Sequence, residues 1–210
     1  MEKEFPILYS FRRCPYAIRA RWALLSSNVK VELREVILKD KPDEFLKLSN
    51  SGTVPCLQSR DNIIDESIDI MIWALRKNDP NGWLDMPDEG YGLIDEVEKK
   101  FKPQLDKTKY ASRYPNDDSK ISRRLAIEYL TDLEKKMKGE FLFGEQPKLA
   151  DIAIFPFVRQ FANIDINWFN EFGWQKLQNW LKAFVESNMF DESQKKFVKW
   201  RPAADPVFFP

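Results

Sequence analysis

Residues 79–90, DPNGWLDMPDEG, separate two stretches with different hydrophobic rhythm. Before them, short apolar runs that suit strands alternate with stripes at helical spacing. After them, every apolar pattern repeats at helical spacing. Pro, Gly and Asp interrupt any helix or strand running through such a segment, so it reads as a linker. This switch limits the fold to an α/β domain over 1–78 followed by an all-helical domain over 91–210. The chain has 210 residues, which suits two small domains or one large one.

The first domain reads β-α-β-α-β-β-α. FPILYS is a short buried strand. After Cys14, the apolar positions Ala17, Ile18, Trp22 and Leu25 share a helical face, with Arg19 and Arg21 expected to turn away from it. In VKVELREVIL, Val31, Leu33, Glu35 and Ile37 alternate with Lys30, Glu32, Arg34 and Val36, as in a strand. KPDEFLKLS suits a short helix with Pro42 in its first turn. SGTVPCLQSRDNIID reads as a hairpin turning at SRDN. ESIDIMIWALRK closes the domain as a helix with Ile68, Met71, Ile72 and Leu75 on one face.

In the second domain, Ile94, Val97, Phe101 and Leu105 form a stripe that Pro103 should bend. Ile121, Leu125, Tyr129, Leu133 and Met137 form another, ending at Gly139. LADIAIFPFVRQFA is apolar nearly all round, as in a helix buried on every side, and WQKLQNWLKAFVES is amphipathic.

Composition narrows the chemistry. The chain has no histidine, which removes Ser-His-Asp and Cys-His catalysis, the common His-containing zinc sites and a histidine general base. No metal centre is expected. Thirty-three basic and thirty-three acidic residues cancel, so no global field favours nucleic acid or an anionic membrane. Two cysteines are too few for a disulfide framework and suit a reducing compartment. MEKEFPILYS is too charged for a signal peptide, and no window reaches the roughly 18 apolar residues of a membrane span. A cytoplasmic protein is expected.

Three short motifs carry the candidate site. In YSFRRCPYAIRARWALL, Cys14 stands where an N-cap would and Pro15 at the first helical position, where its missing N–H is no loss. The amides of Tyr16 and Ala17, the positive helix end and the nearby Arg12 and Arg13 would then favour thiolate. An inert buried cysteine is the alternative. In SGTVPCL, Val54-Pro55 is a candidate cis peptide that would leave the Val54 backbone available to a bound peptide; a trans proline at a sheet edge is the alternative. In DESIDI, Ser67 and the helix amides suit a carboxylate and Glu66 an ammonium, which together match the α-amino-acid end of a peptide. A plain N-cap with solvated acids accounts for the same residues.

Taken in order and spacing, YSFRRCPYAIRAR, LKDKPDEF, GTVPCL and DESIDI resemble the cytosolic glutathione S-transferase family, nearest its cysteine-type, omega-like class. The resemblance covers nearly the whole chain. It implies a thioredoxin-like N-terminal domain, a helical C-terminal domain, and glutathione as co-substrate. Cys14 would be the catalytic cysteine, facing the glutathione sulfur. Val54, beside cis-Pro55, would hold the cysteinyl backbone; Glu66 and Ser67 the γ-glutamyl end; and Lys41 the glycyl carboxylate. Ala17 replaces the second cysteine of a Cys-x-x-Cys pair, so a resolving thiol must come from solution. The implied activity is monothiol reduction of mixed disulfides, removal of glutathione from protein thiols, or dehydroascorbate reduction. The second substrate is a small molecule or a protein thiol, and family members are commonly homodimers.

The family's buried helix usually opens with a Ser/Thr-x-x-Asp capping box; here KLAD keeps Asp151 and puts Lys148 at the cap. Tyr9 is no more than a neighbour to the site. Cys56 reads as a buried structural thiol, and Trp168, Trp174, Trp180 and Trp200 as core or pocket lining. Two rival functions remain: conjugation of glutathione to electrophiles with Cys14 a bystander, and a non-catalytic interaction module. A membrane-inserting relative is disfavoured by two arginines in the first helix.

Overall fold

The computed structural model describes residues 5–60 and 62–210; Met1–Glu4, part of the charged N-terminal stretch, and Asp61 of the SRDN turn lie outside the described residues. The chain forms two compact units, one of residues 1–84 with 187–210 and one of residues 85–186. The first has a thioredoxin-like β-α-β-α-β core, and the second is all-α.

In the first unit the elements run β1 (Ile7–Ser10), α1 (Pro15–Ser27), β2 (Val31–Glu35), α2 (Asp43–Leu48), β3 (Cys56–Ser59), β4 (Asn62–Ile64) and α3 (Ser67–Leu75). The first strand pairs parallel with the second, across a helical crossover, and antiparallel with the third, pairing Leu8 with Leu57 and Tyr9 with Cys56. In β2 the expected alternation holds as far as Glu35. There the strand ends, so Val36 is buried while Ile37 is exposed.

In this unit two helical faces differ from expectation. The buried side of α3 is Ser67, Ile70, Met71, Ala74 and Leu75, leaving Ile68 and Ile72 half-buried. More consequentially, Arg19 and Arg21 do not turn outward: both are wholly buried. Most of α1 is buried, between the sheet side and its neighbours α3 and, near the C-terminus, α10 (Asn188–Ser193). A sandwiched helix has no solvent face on which to place a polar residue. Arg21 instead pairs with Glu35, donates from Nε to Ser10 Oγ at 2.9 Å, and donates from Nη1 to the Ser193 carbonyl at 3.1 Å. Burial pulls the Arg21 pKa down, with the Glu35 charge opposing it.

The last 24 residues also differ from the sequence division, which assigned 91–210 to the helical domain. Ser187–Pro210 groups with the sheet. Besides α10 it contributes β5 (Phe208–Phe209), which pairs antiparallel with β2 and completes a sheet of order β4-β3-β1-β2-β5. Ser193 anchors the segment through its carbonyl on Arg21 and its hydroxyl, which accepts from Trp22 Nε1 at 3.1 Å.

The second unit holds α4 (Glu89–Glu96), α5 (Lys102–Lys109), α6 (Ser119–Lys136), α7 (Leu149–Ala162), α8 (Ile166–Glu171) and α9 (Gln175–Val185). Ile94, Val97, Phe101 and Leu105 are buried as expected. The break at Pro103 is a π-helical turn over Val97–Phe101, the wide winding that accommodates a residue without an N–H. On α6 the expected stripe is wrong in its first half: Ile121 and Leu125 are exposed, and Ser122, Ala126, Leu130 and Leu133 face inward. The α7 helix is buried except at Arg159 and Gln160. Among the described residues no helix is long and apolar enough to cross a membrane.

Candidate functional site

The start of α1 is held from both sides. Cys14 has an extended backbone (φ −77°, ψ 123°), its N–H donates to the Phe11 carbonyl at 3.0 Å, and Pro15 begins the helix. One turn back, the Arg12 N–H donates to Glu35 Oε1 at 2.7 Å, which ties the loop to β2. No side chain caps the helix. The thiol is half-buried against the cluster of Tyr9, Val36, Phe45, Val54 and Cys56, and Sγ donates to the Val54 carbonyl at 3.5 Å.

Val54–Pro55 is a cis peptide bond. The Val54 carbonyl thus meets Cys14, where the sequence reading had left it to a ligand. The segment leading to it is braced at several points. Gly52 sits at φ +60°, a left-handed conformation that a side chain disfavours. Its carbonyl accepts from Lys41 Nζ at 2.8 Å, so the ammonium expected to reach a ligand's carboxylate is bonded to the chain's own backbone. Ser49 Oγ donates to Asp65 Oδ1 at 2.6 Å, joining this segment to the approach to α3.

At that approach Glu66 occupies the cap position with its side chain exposed and making no cap bond. Ser67 is the first residue of α3 and is 2% exposed. Its Oγ accepts from Arg19 Nε at 2.9 Å and from Arg19 Nη2 at 2.7 Å. A chain of contacts therefore runs from Cys14 to Val54, along 49–54 to Asp65 and Ser67, and back to α1 at Arg19. Each predicted site residue lies on this circuit or beside it.

Sequence reasoning missed Arg19 as part of the site, since helical spacing placed it on the outside. The available signal was Ala17, Ala20 and Ala23, small residues that let other elements close in around α1.

The other groups singled out from the sequence are not exposed, reactive side chains. Cys56 is wholly buried, and burial first, with Asp65 adding, pushes its thiol up to about 12. Tyr9 is 2% exposed; burial raises its pKa although Arg34, donating to its hydroxyl at 2.8 Å, opposes the shift. Trp174 and Trp180 belong to the helical core, Trp168 is half-buried, and Trp200 packs on Arg34. Among the described residues no cluster of three or more His, Cys, Asp or Glu side chains could hold a metal ion.

Two family profiles match this chain: the glutathione S-transferase N-terminal domain over residues 8–82 and the C-terminal domain over 108–183. The chain belongs to the glutathione S-transferase superfamily. It is 27% identical over 145 residues to the probable glutathione S-transferase DHAR1, cytosolic, of Oryza sativa subsp. japonica, covering 68% of this chain and 64% of that protein. It is 27% identical over 188 residues to glutathione S-transferase omega-1 of Sus scrofa, covering 85% of this chain and 76% of the pig protein. The match to the rice chloroplastic DHAR2 spans only 50% of that protein's length. Among solved structures, glutathione transferase Omega 3C from Trametes versicolor shares the fold with a TM-score of 0.77 at 19% identity, over 92% of this chain and 85% of that one.

Proposed function

We propose that this chain is a glutathione-dependent monothiol reductase, with Cys14 as its nucleophile. The observation that carries the reading is the start of α1: a half-buried thiol at an uncapped helix end, beside the carbonyl of Val54. The positive end of a helix favours an anion at its N-terminus, and the thiolate is the attacking species. The relatives named for omega-type and DHAR transferases support the same class.

The Cys14 thiolate attacks the glutathione sulfur of a mixed disulfide, forms a Cys14–glutathione disulfide and expels the substrate thiolate, which takes a proton from water. A second glutathione, as its thiolate, attacks the glutathione sulfur of that disulfide; glutathione disulfide leaves and the Cys14 thiolate returns. Ala17 stands where a resolving cysteine would, and Cys56 is held protonated in the core, so neither intercepts the intermediate. In this reading Val54 and Pro55 align the cysteinyl backbone, Ser67 and Glu66 take the γ-glutamyl end, and Lys41 exchanges Gly52 for the glycyl carboxylate. The second substrate is a glutathionylated thiol or a small oxidant.

The test is glutathione-dependent reduction of a glutathionylated peptide beside conjugation of a model electrophile, on wild type and Cys14→Ser. Reduction that disappears in the variant is the expected result. Absent reduction with conjugation that survives the substitution makes the protein a conjugating transferase. Neither activity, with no glutathione binding, makes it an interaction module. Native iodoacetamide labelling at neutral pH, read by mass spectrometry, should modify Cys14 and spare Cys56 until the protein unfolds.

A further inference from the structure

Arg19 has no assigned part in the chemistry, yet its fully buried guanidinium turns two donors onto one small hydroxyl. A serine hydroxyl has two lone pairs and one proton. Arg19 Nε and Nη2 donate to the same oxygen, at 2.9 and 2.7 Å, and so occupy both acceptor positions. Ser67 Oγ is left with only its proton to give. The geometry is rigid on both sides: Ser67 is the first residue of α3, and the guanidinium lies over the Tyr16 ring, 4.9 Å from its centroid. A cation bonded to the oxygen also makes the hydroxyl a stronger donor.

We propose that Arg19 is a positioning residue that makes Ser67 an obligate hydrogen-bond donor, and so selects a carboxylate at the γ-glutamyl end of the ligand. The inference rests on the glutathione reading above. It goes further by assigning the source of carboxylate selectivity to a residue that need not touch the ligand. A free serine hydroxyl rotates and serves donors and acceptors alike; one whose lone pairs are filled accepts nothing. An ammonium brought to Ser67 therefore finds no partner, a carboxamide can offer only its neutral carbonyl oxygen, and a carboxylate accepts with either oxygen and with its full charge.

The experiment is titration calorimetry with three ligands: glutathione, glutathione with its γ-glutamyl α-carboxylate converted to a carboxamide, and cysteinylglycine, which lacks the γ-glutamyl group. On wild type the carboxamide should bind at least about tenfold more weakly than glutathione. Arg19→Lys keeps the buried charge but offers a single point donor. It should weaken glutathione several-fold, narrow the carboxylate-to-carboxamide ratio, and leave cysteinylglycine unchanged. Ser67→Ala should abolish the ratio, and the Arg19→Lys/Ser67→Ala double variant should be no worse than Ser67→Ala alone.

Equal losses for all three ligands, or additive losses in the double variant, would show that Arg19 supports the fold and nothing more. If Arg19→Lys fails to fold, the wild-type ratio still decides: equal binding of carboxylate and carboxamide overturns the inference. If wild type binds neither glutathione nor cysteinylglycine, the glutathione reading has failed and this inference falls with it. Glutathione binding without discrimination sinks the inference alone.

Discussion

Two of the helix starts that no conventional side chain caps resolve the problem in opposite ways. Lys148 precedes α7 and Cys14 precedes α1, and neither side chain caps its helix. At α7 the third helical residue, Asp151, turns back and accepts from the Lys148 N–H at 2.9 Å. It also takes the Leu142 N–H at 2.9 Å and the Trp180 indole at 2.8 Å. This is the acidic half of a capping box; lysine, having no acceptor, cannot supply the other half. At α1 the first turn has no acid, Pro15 has no N–H to satisfy, and the group standing at the end is a thiol. One helix start is closed from within because it is buried. The other is left for a sulfur, and in the proposed function for a substrate.

Four predictions bear on this contrast. The largest effect is expected from Asp151→Ala, which leaves two buried N–H donors and the half-buried Lys148 N–H without their acceptor. It should destabilise the protein by about 3–5 kcal/mol in chemical denaturation. A loss under about 1 kcal/mol would mean that the α7 start is held by packing alone.

Next comes Cys14→Ser, which installs a good capping residue where the proposed function requires a thiol. Reduction should fall at least about 100-fold, roughly 2.7 kcal/mol in the barrier. The melting curve should meanwhile show a gain of about 0.5–1 kcal/mol from the new cap. Unchanged reduction, or a destabilised helix, breaks the comparison.

The third prediction concerns acid. Burial holds the Asp151 pKa above its ordinary value of 3.8, against the pull of the Leu142, Lys148 and Asp151 N–H groups and the Trp180 indole. The folded protein therefore takes up this proton at a higher pH than the unfolded chain does. The contribution is complete below about pH 4 and is lost as pH rises through the folded pKa. Asp151→Asn cannot titrate, so the stability advantage of wild type over this variant should widen as pH falls from neutral towards about 4. Narrowing would show that the donors outweigh burial.

Smallest is Lys148→Ser, which completes the capping box. It should add about 0.5–1 kcal/mol, visible as a shifted denaturation midpoint. The ion pair it removes, to the 95% exposed Asp85 carboxylate at 3.6 Å, contributes little.

The parts of the molecule legible in its sequence are those that local rules govern. Pro103 marks a break in a buried stripe, and a π-helical turn stands there. The all-round apolarity of LADIAIFPFVRQFA matches a helix buried nearly throughout. Cys14, Val54-Pro55 and Ser67 each stand at the start of the element that their residue types suggested. Illegible were the inward faces of elements whose neighbours come from far along the chain. Arg19 and Arg21 look like a solvent face until α3, Glu35 and Ser193 surround them. The two-residue strand β5, followed by Pro210, is too short to carry any periodicity.

By itself, then, the sequence determined the order of elements through α3, the change from a mixed α/β pattern to a helical one, the exclusion of histidine chemistry and the short motifs read as the candidate site. Those follow from backbone preferences and residue types, which act over a few positions. Only the tertiary structure decided that the C-terminal 24 residues return to the sheet, that two arginines lie in its core, and that Lys41 rests on Gly52. It also decided that both lone pairs of Ser67 Oγ are taken by Arg19. These are partnerships between residues as many as 172 positions apart, as for Arg21 and Ser193. A buried charge is stable only where its partners converge in space, and no local pattern records that convergence.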